Sequence, residues 1–308
     1  MCRNNFAGAK DYMADQMIRA LCLSGGIRVL ACNTSVLARE VCLLQKTSAT
    51  ASIAMGRGLA GGALMGALLK SDQRIALKFE GNGPLRKLLI EADSNGAVCG
   101  CAGDPAAEVE PLNGKWNVAG LIGKAGFLTV SKDIGVGGQP YQGLVQLVSS
   151  EIGDDLAYYL TESEQTPSAV GLGAALDESG QISACGGFLV QALPKADQTE
   201  LEKIMERLSS LPPISSMLTE SGPEAMLREI FGDIPYTVLE THDIYFQCGC
   251  SQEKVERALI TMGAKELKDM QNVDNGAEVT CEFCRKTYSF DNNNLEQLIK
   301  TASESSGR

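Results

Sequence analysis

The chain has 308 residues, 44% hydrophobic and 21% charged, with a formal net charge of −11, the balance of a globular chain of about two domains. The acidic excess argues against nucleic acid, whose binders carry a basic footprint, and against docking on an anionic membrane surface. No apolar run approaches the roughly 20 residues that cross a bilayer.

The first residues, "MCRNNFAGAKDYMADQ", lack a secretory apolar region and carry Asp11 and Asp15, so a cytoplasmic protein is expected. Eleven cysteines in a reducing compartment are then metal ligands, redox sensors or core residues rather than a disulfide framework. From Gly25 to Leu193 the pattern is strand-rich. "GGIRVLAC", "RIALKFE", "LRKLLIEA", "AGFLTVSK", "YQGLVQLV", "SAVGLGAAL" and "ISACGGFLVQAL" read as strands between Gly, Asp and Asn turns. Two helices are expected among them, one over residues 48–70 and one after Ser150, with Ser as its N-cap and acids in its first turn. Strict alternation of strand and helix is absent, so the fold class is α+β, with a strand-rich mixed core over residues 1–195.

Residues 196–240 read as a helical connector. Thr199 and Glu202 have capping-box spacing, and Leu201, Ile204, Met205 and Leu208 recur at helical intervals. Pro212-Pro213 breaks this helix. A second follows with Pro223 in its first turn, Met226, Leu227, Ile230 and Phe231 on its apolar side, and Gly232 as terminator. So narrow a stripe must lean on a neighbouring domain.

A small zinc-binding module is expected over residues 241–295, followed by a frayed tail, "TASESSGR", within residues 296–308. Its signal is "YFQCGCSQEK" followed by "TCEFCRKTYSF", which pairs Cys248 with Cys250 and Cys281 with Cys284. Zinc takes four thiolates in a tetrahedron, and each close pair supplies two with little chain to order. The intervening helix, with Val255, Ala258, Leu259 and Met262 on one face, buries too little to fold unaided. Metal and fold should therefore be coupled. Spacing alone leaves open whether the zinc is purely structural or a switch. Four cysteines close the coordination sphere, so a catalytic zinc is not expected, and His242 reads as a surface or packing residue.

Gly56, Gly58 and Gly61 in "GRGLAGG" have dinucleotide-fingerprint spacing, but no apolar strand feeds them. Glycines 58, 62 and 66 fall four apart, which suits close packing of a bare helix face on a sheet. No nucleophile elbow is present and the single histidine lies beside the cysteine module, so no catalytic residue is assigned.

Over nearly its whole length the sequence resembles the redox-regulated 33-kDa heat-shock chaperones. The segments that carry the resemblance include "ATASIAMGRGLAGGALMGALLK", "LKFEGNGPLRKLLIEA", "PYQGLVQLVSSEIGDDLAYYLTESEQTPSAVGLG" and "GGFLVQALP", followed by "CGC" and "CEFC". The resemblance implies a cytoplasmic holdase that is not an enzyme, inactive when reduced and zinc-bound. On oxidation it implies disulfides Cys248–Cys250 and Cys281–Cys284, zinc release, a homodimer, and binding of unfolding client proteins. The connector stripe of Leu201, Ile204, Met205, Leu208, Leu227, Ile230 and Phe231 supplies the candidate client-binding residues. A permanent structural zinc in an interaction protein is the alternative, and a nucleotide-dependent oxidoreductase a more distant one. The sequence departs from the family pattern in a second CxC, Cys99 and Cys101, and in extra thiols at Cys2, Cys22, Cys32, Cys42 and Cys185. In a strand, Cys99 and Cys101 face one side and read as small core residues.

Overall fold

A computed structural model of the chain describes residues 14–133, 140–274 and 276–305; Cys2 lies outside them. The chain divides into two units after Gln247. The first begins with strands β1 (Gln16–Cys22) and β2 (Ile27–Asn33) and helices α1 (Ser35–Gln45) and α2 (Ala49–Gly66). Strands β3 (Arg74–Gly81), β4 (Lys87–Asp93) and β5 (Ala97–Ala102) follow, then α3 (Val118–Ile122), β6 (Gly126–Asp133) and β7 (Tyr141–Gln146). Helix α4 (Ile152–Glu162) leads into β8 (Ser168–Leu176) and β9 (Ile182–Ala192). Residues 196–240 hold α5 (Gln198–Ser210), α6 (Ile214–Phe231) and the greater part of β10 (Tyr236–Asp243); β11 (Tyr245–Phe246) ends the unit.

Two sheets result, one in the order β10-β1-β2-β9-β8 and the other β11-β5-β4-β3-β6-β7. Pairing is antiparallel except between β11 and β5. This is the α+β class expected from the sequence. Helix α2 lies between the sheets, and its glycines explain how. A Cβ at Gly58 or Gly62 would meet Ile90 of β4, and one at Gly56 would meet Cys185 and Ala174 of β9 and β8. The bare face expected from glycines 58, 62 and 66 is therefore a packing face. Helix α1 precedes α2, so the strand–turn–helix context of a dinucleotide fold is missing. At Gly62 a Cβ would stand 2.5 Å from Ile90 Cγ2. Gly62→Ala gains about 1 kcal/mol of helix propensity but overpacks a β-branched neighbour at about 1–3 kcal/mol. Denaturant unfolding should show a net loss; a gain would contradict the packing.

The outer face of the first sheet carries a second core. Ile18, Ala20, Ile27, Val29, Phe188 and Val190 pack there against Ile204, Met217, Leu218, Leu227, Ile230 and Phe231 of α5 and α6. The connector helices are thus a lid of secondary structure over an apolar sheet face. Helix α6 is two helices joined at Gly222, whose φ of 71° breaks the ladder ahead of Pro223; Gly232 ends it as expected.

Local capping departs from the sequence reading. Asp197, rather than Thr199, caps α5 by accepting the Glu200 N–H at 3.0 Å. Glu151, rather than Ser150, holds the N-cap position of α4, while Asp155 accepts the N–H of Val148 at 2.7 Å. Helix α1, unforeseen in the sequence, takes its cap from a distant residue: the Asp15 carboxylate accepts the N–H groups of Val36 and Leu37 at 3.1 and 2.6 Å. Burial outweighs these donors and pushes the Asp15 carboxyl up to about 7. Between about pH 4 and about pH 7 the folded chain then keeps a proton that the unfolded chain has lost, so this residue's contribution to stability falls as pH rises through that window. Urea unfolding across it should show a steeper decline for the parent than for Asp15→Asn; equal slopes would remove Asp15 from the pH dependence.

The second unit contains α7 (Gln252–Met262), α8 (Ala264–Asp274), the hairpin β12 (Ala277–Thr280) with β13 (Thr287–Phe290), and α9 (Asn292–Ser305). Among the described residues its core has eight buried apolar side chains, of which Leu295, Leu298, Ile299 and Ala302 come from α9. The expected frayed tail is therefore helix as far as Ser305, because Leu298, Ile299 and Ala302 recur on the buried side. On α7 the inward residues are Val255, Leu259 and Ile260, whereas Ala258 and Met262 are exposed.

Candidate metal centre

Two loops build the site. Cys248 and Cys250 lie just before α7, whose N-cap Ser251 accepts the Lys254 N–H at 3.3 Å and fixes where the helix starts. Cys281 and Cys284 lie in the turn between β12 and β13. There Cys281 N–H donates to Lys286 at 2.9 Å, Arg285 N–H donates back to Cys281 at 3.0 Å, and Arg285 takes a left-handed φ of 58°. This knuckle aims both thiols at the first pair.

The four sulfurs lie within 4.8 Å of one another, and together they could hold a metal ion. Cys248 and Cys281 stand 3.6 Å apart, and Cys250 and Cys284 3.4 Å. Four ligands at the usual zinc–sulfur distance would stand about 3.8 Å apart at the edges of a tetrahedron. The donor set and its spacing therefore fit a closed four-thiolate site. All four cysteines are partly buried.

The thiols are not equivalent. Burial pushes Cys248 and Cys284 up, and hydrogen bonds with neighbouring thiols add to this. At Cys250 burial also opposes ionisation, but the hydrogen bond from Tyr288 and those from the other thiols outweigh it and hold this thiol at about 7. Tyr288 Oη donates to Cys250 Sγ at 3.1 Å while its ring is buried in the module core. The sequence reading missed this residue; its one signal is an aromatic four positions past Cys284, on the strand that leaves the knuckle. Tyr288→Phe keeps the ring and deletes the donor. Thiolate ultraviolet absorbance should show the first ionisation of the cluster moving to higher pH; an unmoved titration would mean Tyr288 does not tune the site.

The other sequence candidates are placed elsewhere. His242 lies on β10 with its Nδ1 3.6 Å from Glu240, outside the thiol cluster. In β5, Val98 and Ala102 face the core between the sheets, so Cys99 and Cys101 share the opposite face, and both are buried. Of the connector stripe, Ile204, Leu227, Ile230 and Phe231 are buried, Leu201 and Leu208 partly so, and Met205 is 50% exposed.

With the geometry described, comparison with known proteins places the chain. The sequence model of the Hsp33 protein family matches residues 15–291. The 33 kDa chaperonin of Pelobacter propionicus is 62% identical over 94% of this chain and 95% of its own. That of Geobacter sulfurreducens is 49% identical over 94% and 96%. The crystal structure of the 33 kDa chaperonin (heat shock protein 33 homolog) from Thermotoga maritima superposes with a TM-score of 0.87 at 34% identity, covering 95% of this chain and all of that one. A four-thiol module joined to a two-sheet core, matched over nearly its full length by these relatives, belongs to the Hsp33 family.

Proposed function

We propose that this chain is a redox-regulated holdase of the cytoplasm: zinc-bound and inactive when reduced, and able to bind unfolding proteins, as a homodimer, once its four module cysteines are oxidised. It is not an enzyme. The observation that carries this reading is the convergence of four thiols in a unit whose own core is eight residues. Bound by Cys248, Cys250, Cys281 and Cys284, zinc would supply on the order of 10–16 kcal/mol of apparent binding free energy to the folded module.

Oxidation acts on the ligands. Each pair of thiolates gives two electrons to a peroxide, forms one disulfide, and with two protons leaves two waters. Sulfurs tied in a disulfide no longer serve as thiolate donors. The proposed pairs are Cys248–Cys250 and Cys281–Cys284, and the first joins residues only two apart in sequence, a spacing at which a folded loop resists an unstrained bridge. That bridge therefore needs the module to open, so oxidation and unfolding reinforce each other. The client surface is the connector stripe with the sheet face beneath it. Helix α5 is lightly held: Ile204 is its one buried residue, and full burial of one such side chain is worth about 1.5–3 kcal/mol. Elements anchored so weakly open first.

Light scattering of a heat-unfolding client, with reduced and with peroxide-treated protein, tests the reading. Suppression by the oxidised form alone is expected. Zinc loss on oxidation with no suppression would leave only a redox-labile structural site.

A further inference from the structure

An unpaired sheet edge is a template for another strand, and folded chains blunt it with charges, proline, brevity or a covering element. Three of the four edges of the two large sheets are dealt with in these ways. Strand β10 carries Glu240, His242 and Asp243, and β11 is two residues long. Helix α4 packs along β8, where a Cβ at Gly153 would stand 3.1 Å from the Val170 carbonyl. The fourth edge is β7. Its six residues, "YQGLVQ", hold no charge and no proline, and among the described residues β6 is the element that packs along it. Helix α4 meets it from the core side, where a Cβ at Gly143 would meet the Tyr159 ring.

The register shows which groups this edge presents. Leu147 N–H donates to Gly126, the residue opposite it, at 3.0 Å. In the alternation of an antiparallel ladder, Tyr141, Gly143 and Val145 then bond to β6, while Gln142, Leu144 and Gln146 direct their N–H and C=O groups outward. The side chains of these three lie on the face away from the core and are exposed, Leu144 by 61%. Phe127 stands beside Gln146 on the same face and is 51% exposed. In a chain of net charge −11, an uncharged edge flanked by apolar side chains is where a second copy meets least repulsion.

We propose that β7 is a self-pairing edge: two copies of this chain join their six-stranded sheets by antiparallel β7–β7 pairing about a twofold axis at Leu144. That register alone uses all three outward residues. Leu144 of each copy faces Leu144 of the other, and Gln142 faces Gln146, so the contact is isologous and closes at two. It names a surface for the homodimer of the proposed function and rests on that reading. The contact lies on the second sheet and leaves the outer face of the first, the client surface, uncovered. Three N–H donors per copy and one pair of leucines make a small interface, of the class below about 1,200 Å² that holds weak pairs. The reduced chain therefore pairs only at high concentration, and apolar surface uncovered by oxidation adds to the pairing.

The test is sedimentation velocity on the full oxidised chain. The parent should sediment as a dimer. Leu144→Lys and Leu144→Glu should each weaken the dimer about tenfold or more, because like charges then stand opposite one another. Their equimolar mixture should recover the parent's affinity as a heterodimer. In the reduced chain, raising the concentration should slow hydrogen exchange at Gln142, Leu144 and Gln146 and leave Tyr141, Gly143 and Val145 unchanged. Charged variants that pair as the parent does, or a mixture no tighter than either alone, overturn the β7 edge. Slowed exchange at the three outward amides only when an unfolding client is added gives the edge to the client and overturns it too. A parent that stays monomeric once oxidised sinks the homodimer reading instead, and the exchange of the reduced chain then decides the β7 contact by itself.

Discussion

Cys281→Ser should abolish stoichiometric zinc binding and leave α7, α8 and α9 without protection from hydrogen exchange, while the two sheets of the first unit keep theirs. The size of the effect follows from what the module has besides metal. Its core is eight residues, and units of such size rarely hold together without a metal, a disulfide or a partner. A zinc contribution on the order of 10–16 kcal/mol is comparable with the gross burial of that core, about 1.5–3 kcal/mol per side chain, most of which chain entropy offsets. Serine removes one thiolate, and because Cys281 N–H and C=O both serve the turn through the backbone, the knuckle itself is not the target. The first unit has separate cores between its sheets and on its outer face, which is why its protection should persist. A variant that retained one zinc per chain would show that the ligand set is wrong.

Ile230→Asp should make the reduced, zinc-loaded protein suppress client aggregation without any oxidant. Ile230 is fully buried between α6 and the sheet. An unpaired charge placed there costs about 3–5 kcal/mol, enough to favour undocking of α5 and α6 over keeping the carboxylate inside. Undocking uncovers both the stripe and the sheet face it covers. Hydrogen exchange should rise across residues 198–231 while β2 and β9 keep their mutual protection. Ile204→Asp makes the same test from α5, should Ile230→Asp disturb the sheet. Undocked helices in a protein that still leaves the client to aggregate would remove these residues from client binding.

Local chemistry accounts for what the sequence disclosed. The strands "RIALKFE" and "SAVGLGAAL" are bounded by turn residues, and β3 and β8 fall on them. The glycine spacing in α2 and the two cysteine pairs are short-range signals, and the structure places both sets of residues together as the spacing suggests. What stayed hidden depends on distant partners. Helix α1 is capped by Asp15 from another element, and Thr34 at its N-cap position makes no side-chain cap bond, so the cap that holds it is not local. Strand β10 is mostly exposed and earns its place by pairing with β1, which residues 236–243 cannot announce by themselves. The polar end of α9 resembles a tail until Leu298, Ile299 and Ala302 are seen against α7 and α8. Tyr288 was missed for the same reason: its hydroxyl reaches a cysteine 38 positions away.

The most direct test of the switch is one peroxide time course at mild heat. Zinc release, hydrogen exchange of residues 198–231 and client light scattering are read on the same sample. All three should shift together and reverse on reduction with zinc restored, as the proposed linkage of ligand oxidation, opening and client capture requires. Full zinc release and full opening with client aggregation unchanged would contradict the holdase reading.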